Sequence, residues 1–275
     1  MDVFFNKNSI LYSNNVKNIS KMEYSEQIKK VTAEEYNSLA LIYKERKLTK
    51  KVIYFYEKAL GLRVKTLGML NNKTATSYMK LAEAYLDDGF IIKSLDLYGK
   101  SLEINQTLFG KKSLQAAEVY SALANIHFSE ENIEEAFSFY IQALNIRQKL
   151  LGELHPLTAQ SQHELGYFYA ASEEYSLSLP LFEKALKTRV ELYRLSHPET
   201  AKSYNSLAIC HYHLFNYDDA YKYLLEAIRI KELIFPKSDE HLQVCKKNLL
   251  EIRKHTSKGM KYTFLKNIFY WIKSL

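Results

Sequence analysis

The chain has 275 residues, 47% hydrophobic and 25% charged, which is enough apolar content for a core and too much for a disordered chain. Eight Gly and four Pro are too few for the closely spaced turns of a β-rich fold. The formal charge of +7 sits at the ends, with five lysines against three acids in residues 1–30 and six basic residues against one acid in residues 251–275, so the body is neutral and nucleic acid is not an expected partner.

Residues 1–30 are Asn- and Ser-rich, with Lys but no Arg. They lack the apolar core of a secretory signal. A flexible leader on a cytoplasmic protein is the first expectation, and an organellar (mitochondrial) presequence is the alternative. The chain holds no run of 18 uncharged apolar residues, so no membrane span is expected.

From residue 31 a period of 42 governs the chain. A small residue recurs at Ala40, Ala82, Ala124, Gly166 and Ala208, each preceded by Leu. Seven positions earlier stands Ala33, Ala75, Ala117, Ala159 or Ala201, and three positions later Tyr43, Tyr85, His127, Tyr169 or His211. A second small residue returns at Ala59, Ser101, Ala143, Ala185 and Ala227. Tyr36, Leu39, Ala40 and Tyr43 follow the i, i+3, i+4, i+7 stripe of a helix. Tyr56, Ala59, Leu60 and Arg63 open the same way on a second helix. Each unit is therefore a helix pair, and its small residues let two backbones approach.

Thr32, Thr74, Thr158 and Thr200 each precede the first Ala of a unit, as an N-cap does. Thr32 and Glu35 have capping-box spacing. His155-Pro156 and His197-Pro198 stand just before two of these threonines, where Pro keeps the preceding residue out of helix. Pro180, early in a second helix, is expected to cost a hydrogen bond. Residues 243–254 read as the first helix of an incomplete sixth unit, with Leu249 in the Leu position, and serve as a cap. The reading by segment is a leader over 1–30, five helix pairs plus the capping helix over 31–254, and a basic amphipathic helix over 255–275.

The pattern resembles the tetratricopeptide repeat. Tyr120-Ser-Ala-Leu123-Ala124 with Ala136, Tyr140 and Ala143 is similar to that family's two-helix signature. The 42-residue period, Leu150-Leu-Gly-Glu-Leu-His-Pro-Leu-Thr158 and Tyr204-Asn-Ser-Leu-Ala208 resemble the kinesin light chain type. The resemblance implies an all-α, right-handed superhelical solenoid of antiparallel helix pairs. It also implies a scaffold or adaptor that binds an extended peptide or helix of a protein partner in a concave groove lined by the first helices. Residues 1–30 are too short and too Asn-rich for the heptad coiled coil of true kinesin light chains, so motor attachment by that route is not expected.

By that resemblance the groove positions lie one, four, eight, eleven and twelve residues past the first Ala of each unit. They supply Glu34, Asn37, Lys44, Glu83, Asp87, Glu118 and Asn125 in the early units. The later units supply His163, Tyr167, Lys202, Asn205 and Tyr212. Asn37 and Asn205 match the family's Asn-x-Leu-Ala motif, whose Asn bonds the backbone of a bound peptide. The expected partner segment carries basic residues toward Glu83 and Asp87 and apolar ones toward Tyr167 and Tyr212. The alternative is that these charges only solvate the surface.

On a helical wheel the tail gathers Phe264, Ile268, Trp271 and Ile272 on one apolar arc, opposite Lys266 and Lys273. Three roles fit it: an extra cap on the last repeat, contact with an anionic membrane surface or a partner, or insertion into the groove. The second makes a membrane-peripheral or organellar assembly factor the alternative function.

No catalytic set is expected. The chain has no phosphate-loop motif, no H-E-x-x-H and no clustered Cys/His ligands, so neither cofactor nor metal is expected. Cys210 and Cys245 read as buried apolar thiols of a reducing compartment. His127 and His211 replace packing tyrosines and read as core residues.

Overall fold

A computed structural model describes residues 31–193 and 196–256. The leader and the tail with Phe264, Ile268, Trp271 and Ile272 lie outside the described residues, and so do the roles expected of them. The described residues form eleven helices and no strand. They are α1 (Ala33–Glu45), α2 (Thr49–Leu67), α3 (Asn72–Asp87), α4 (Ile91–Phe109), α5 (Leu114–Ser129), α6 (Ile133–Leu151), α7 (Pro156–Ala171), α8 (Tyr175–Tyr193), α9 (Pro198–His213), α10 (Tyr217–Ile234) and α11 (Glu240–His255). The chain divides into two compact units, the first ending at Ile104 and the second beginning at Asn105.

In the first unit α1 packs on α2 and α2 on α3. Two serines of α4 tie it to α3, Ser94 Oγ donating to the Ala82 carbonyl and Ser101 Oγ to that of Ala75, at 2.8 and 2.9 Å. Serine at these small-residue sites closes the helices and satisfies its own buried hydroxyl.

In the second unit each helix from α5 to α11 packs on the next, and the first helices also meet one another, α5 with α7 and α7 with α9. Ala124 is sealed against Ala136 and Tyr140, and Ala208 against Ala220, Leu224 and Ala227. Gly166 shows why the position must be small: a Cβ there would stand 2.8 Å from Phe182, itself fully buried. Helix α8 runs unbroken through Pro180. Helix α11 occupies the first-helix register of a sixth unit. Leu242, Cys245 and Ile252 bury one of its faces on α10, while Leu250, in the small-residue position, is 64% exposed.

The helix starts correct one expectation. Thr32 and Glu35 form the capping box, with Glu35 N–H donating to Thr32 Oγ1 at 3.2 Å and Thr32 N–H to the Glu35 carboxylate at 2.7 Å. Thr74, Thr158 and Thr200, however, lie inside their helices. The N-caps stand three residues earlier, at Asn71, His155 and His197, with Ser113 in the same place on α5. His155 and His197 accept from the Leu157 and Glu199 amides through Nδ1, at 3.1 Å each. Proline after each histidine is pre-set for the first helical position, so the cap falls on the residue before it. The displaced threonines turn back instead. Thr74 and Thr158 donate to the carbonyls of Gly68 and Gly152 at 2.8 Å, which closes the corner between pairs.

The turns within pairs share one geometry. Lys47, Gly89, Glu131, Glu173 and Phe215 all take positive φ, from +55° to +80°. Only one is glycine, so four turns hold a side-chain-bearing residue in the left-handed region.

Candidate functional site

In the first unit the charged groove positions are already engaged. Lys44 Nζ lies 3.6 Å from Asp87 and 3.9 Å from Glu83, so α1 supplies the cation for the acids of α3. Glu34 pairs with Arg63 at 3.2 Å and Lys73 at 3.7 Å. A backbone N–H and then the Arg63 guanidinium hold its carboxyl below the usual range. Asn37 is buried, and its Oδ1 has no hydrogen-bond partner among the described residues.

In the second unit the candidates separate. Glu118 and Lys202 are exposed. Asn125 accepts from the Tyr140 hydroxyl at 2.7 Å, and burial pushes that phenol's pKa up. Tyr167 is exposed and meets Phe128 edge-on. His163 is only 4% exposed, with Nε2 3.0 Å from Ser206 Oγ and its ring 4.9 Å from that of Phe182. Burial, then the charges of Arg189 and Lys202, push its pKa down to about 3, so the imidazole is neutral and interior. His127 packs its ring on Phe139 and the buried His211 on Tyr223. Cys210 and Cys245 are free and buried.

Asn205 and Tyr212 come together. They line an open cleft of about 430 Å³ bounded by α9, α10 and α11. Ile209 of α9 and Val244 of α11, both about half exposed, supply apolar surface. Lys231 of α10 reaches in from behind, its Nζ 3.3 Å from Cys245 Sγ. The Cys245 thiol in turn faces Asn205 Oδ1 at 3.7 Å. Around Tyr212 the rings of His213 and Tyr217 stand edge-on, and His213 stacks flat on Tyr175 at 4.3 Å. The cleft therefore offers apolar surface, an amide, a hydroxyl and a cation within one cavity, which suits binding of a side chain from another molecule.

Lys231 ends a series of inward-facing cations that composition alone hides. Arg63, Arg147 and Arg189 are each nearly sealed. Each donates through Nη1 to a serine of the following first helix: Ser77 at 2.7 Å, Ser161 at 2.7 Å and Ser203 at 2.6 Å. Each also has a carboxylate: Glu34 at 3.2 Å, Glu164 at 3.9 Å and Glu199 at 2.6 Å. Lys231 with Cys245 is the same pair in the same register. Sequence reasoning set Arg63 on the stripe of a second helix but gave neither it nor its counterparts a role, because the partners of a charge are not local. Their recurrence in step with the small residues is the signal that finds them.

Among the described residues no group of three or more His, Cys, Asp or Glu side chains could hold a metal ion. None of the described helices is long and apolar enough to cross a membrane.

The tetratricopeptide repeat model matches residues 73–149, 115–189 and 157–232, together more than half of the sequence. The chain belongs to the tetratricopeptide repeat family. It is thereby an interaction scaffold of paired helices, in the solenoid fold class. Solved structures agree on the fold. A protein of Podosopora anserina described as a kinesin light chain with nearly identical TPR-like repeats is 21% identical, with TM-score 0.59, covering 76% of this chain and 97% of that one. BtubC (BKLC) of P. vanneervenii is 18% identical, with TM-score 0.62 and coverage of 89% and 92%. The apo form of RapI is 17% identical, with TM-score 0.66 and coverage of 95% and 68%. A search of curated proteins finds none that matches the sequence.

Proposed function

We propose that this tetratricopeptide protein is an adaptor that holds an extended segment or helix of another protein in the cleft formed by α9, α10 and α11. One observation carries the reading. The cleft sets exposed apolar side chains, Ile209 and Val244, beside Asn205 and Tyr212 on a rigid first-helix wall. Apolar anchors on a fixed surface lose little entropy on binding and give most of the affinity. The amide and hydroxyl then orient the guest without demanding one sequence. The acids expected to draw a basic segment, Glu83 and Asp87, already face Lys44, so the reading places the anchor in the second unit. A likeness to a kinesin light chain or to BtubC supports the architecture of such an adaptor, and the partner is its own question.

Affinity purification from native cells with the wild type and with an Ile209→Glu/Val244→Glu double variant tests the reading. The double variant is expected to lose specific partners while keeping its melting temperature. Partners recovered equally by both forms would overturn it.

A further inference from the structure

In each arginine pair a carboxylate of the chain completes the cation. Around Lys231 the three positions that supply those carboxylates hold no acid. At the same sequence offsets, Glu34 of Arg63 becomes Lys202, Glu164 of Arg147 becomes Asn248, and Glu199 of Arg189 becomes His241. The serine partner has become Cys245, a poor hydrogen-bond acceptor. Lys231 therefore holds its ammonium half-buried, with sulfur at 3.3 Å and no carboxylate within 4.0 Å among the described residues. Its compensation is missing at a place where the series opens into a cleft. Glu251 also lines the cleft, but its carboxylate is bound to Lys254 at 2.5 Å.

We infer that this cleft takes the side-chain carboxylate of an Asp or Glu in the partner segment, with Lys231 as its counter-ion. The inference rests on the adaptor reading and names the chemistry of its guest. A carboxylate entering the cleft meets an ammonium with donors left over after the one directed at Cys245. It also meets the amide N–H groups of Asn205 and Asn248, Asn205 having its oxygen turned to the thiol. Charge-assisted hydrogen bonds of this kind are the strong ones, and half-burial limits their screening. Ile209, Val244 and Ile252 receive the apolar neighbours of the acid. The guest thus restores from outside the ion pair that the earlier repeats make within the chain.

The test is selection of a random 12-residue peptide phage library on the full chain, followed by affinity measurement on the recovered peptides made with amidated C-termini. Recovered peptides are expected to carry Asp or Glu next to apolar residues. Their affinity is expected to fall about tenfold or more when the acid becomes its amide. It is expected to fall similarly on Lys231→Met, and on His241→Glu, which supplies an internal carboxylate where Glu199 serves Arg189. His241→Glu adds an ion pair, so it stays informative if Lys231→Met unfolds. Peptides without acids, or undiminished binding to both variants, would overturn the carboxylate assignment and leave the adaptor reading standing. Recovery of no peptide at all would overturn the adaptor reading itself.

Discussion

Arg189 and Ser203 meet at 2.6 Å between two successive helix pairs, both sealed from solvent. The same guanidinium reaches the Glu199 carboxylate, also at 2.6 Å, and the Glu199 carbonyl at 3.3 Å. One side chain thus ties a second helix to the start of the next first helix, and Arg147 repeats the arrangement with Ser161. Charge buried among its own partners holds the stacking register, while apolar burial supplies the bulk of the stability.

Replacing Arg189 by Met should therefore cost about 2–4 kcal/mol, because the buried Ser203 hydroxyl loses its partner and the half-exposed Glu199 its counter-ion. Lysine at the same site should recover only part, since it lacks the planar fork that serves several acceptors at once. Urea unfolding followed by circular dichroism reads both. Equal stability of Arg189→Met and wild type would show that the contact holds nothing.

Two of the helical glycines, Gly61 and Gly166, should respond with opposite signs. A methyl added at Gly61 would meet nothing within 4 Å, so Gly61→Ala should stabilise by about 0.5–1 kcal/mol through helix propensity. Gly166→Ala gains the same propensity but drives a methyl into the Phe182 ring at 2.8 Å. Overpacking of about 1–3 kcal/mol should outweigh the gain. Melting temperatures that shift in the same direction would refute the close approach of α7 and α8.

At Phe215 the backbone takes φ of +61° while the ring is 77% exposed. Little packing is lost by removing it, and the left-handed region suits glycine. Phe215→Gly should raise stability by about 0.5–1 kcal/mol. A loss of stability in thermal unfolding would mean that the edge contact with Tyr217 outweighs the backbone strain.

Acid should weaken the fold through His163. Its folded pKa is about 3, below the roughly 6.5 of the unfolded chain. The unfolded state therefore binds the proton first. Stability from this residue is complete above about pH 6.5 and is lost as pH falls toward 3, at up to about 1.4 kcal/mol per pH unit. His163→Gln should flatten that part of the pH profile measured by urea unfolding. An unchanged slope would show that His163 is not held neutral in the interior.

The period of 42, the small residues and the aromatic stripe specify helix pairs because periodicity reports directly on which face of a helix is buried. The capping box at Thr32 was legible for the same reason, since its two partners are local. What local pattern could not decide was the partner of each polar group. Thr74 and Thr158 look like caps until the corner carbonyls of Gly68 and Gly152 are in reach, and Lys44, Glu83 and Asp87 look like a charged wall until α1 and α3 lie side by side. The tetratricopeptide resemblance implied groove positions for Asn205 and Tyr212, and both line the cleft of α9, α10 and α11. That Lys231 joins them, without a carboxylate within 4.0 Å among the described residues, depended on how three successive helices close around one cavity, because the fate of a charge is set by what surrounds it in space.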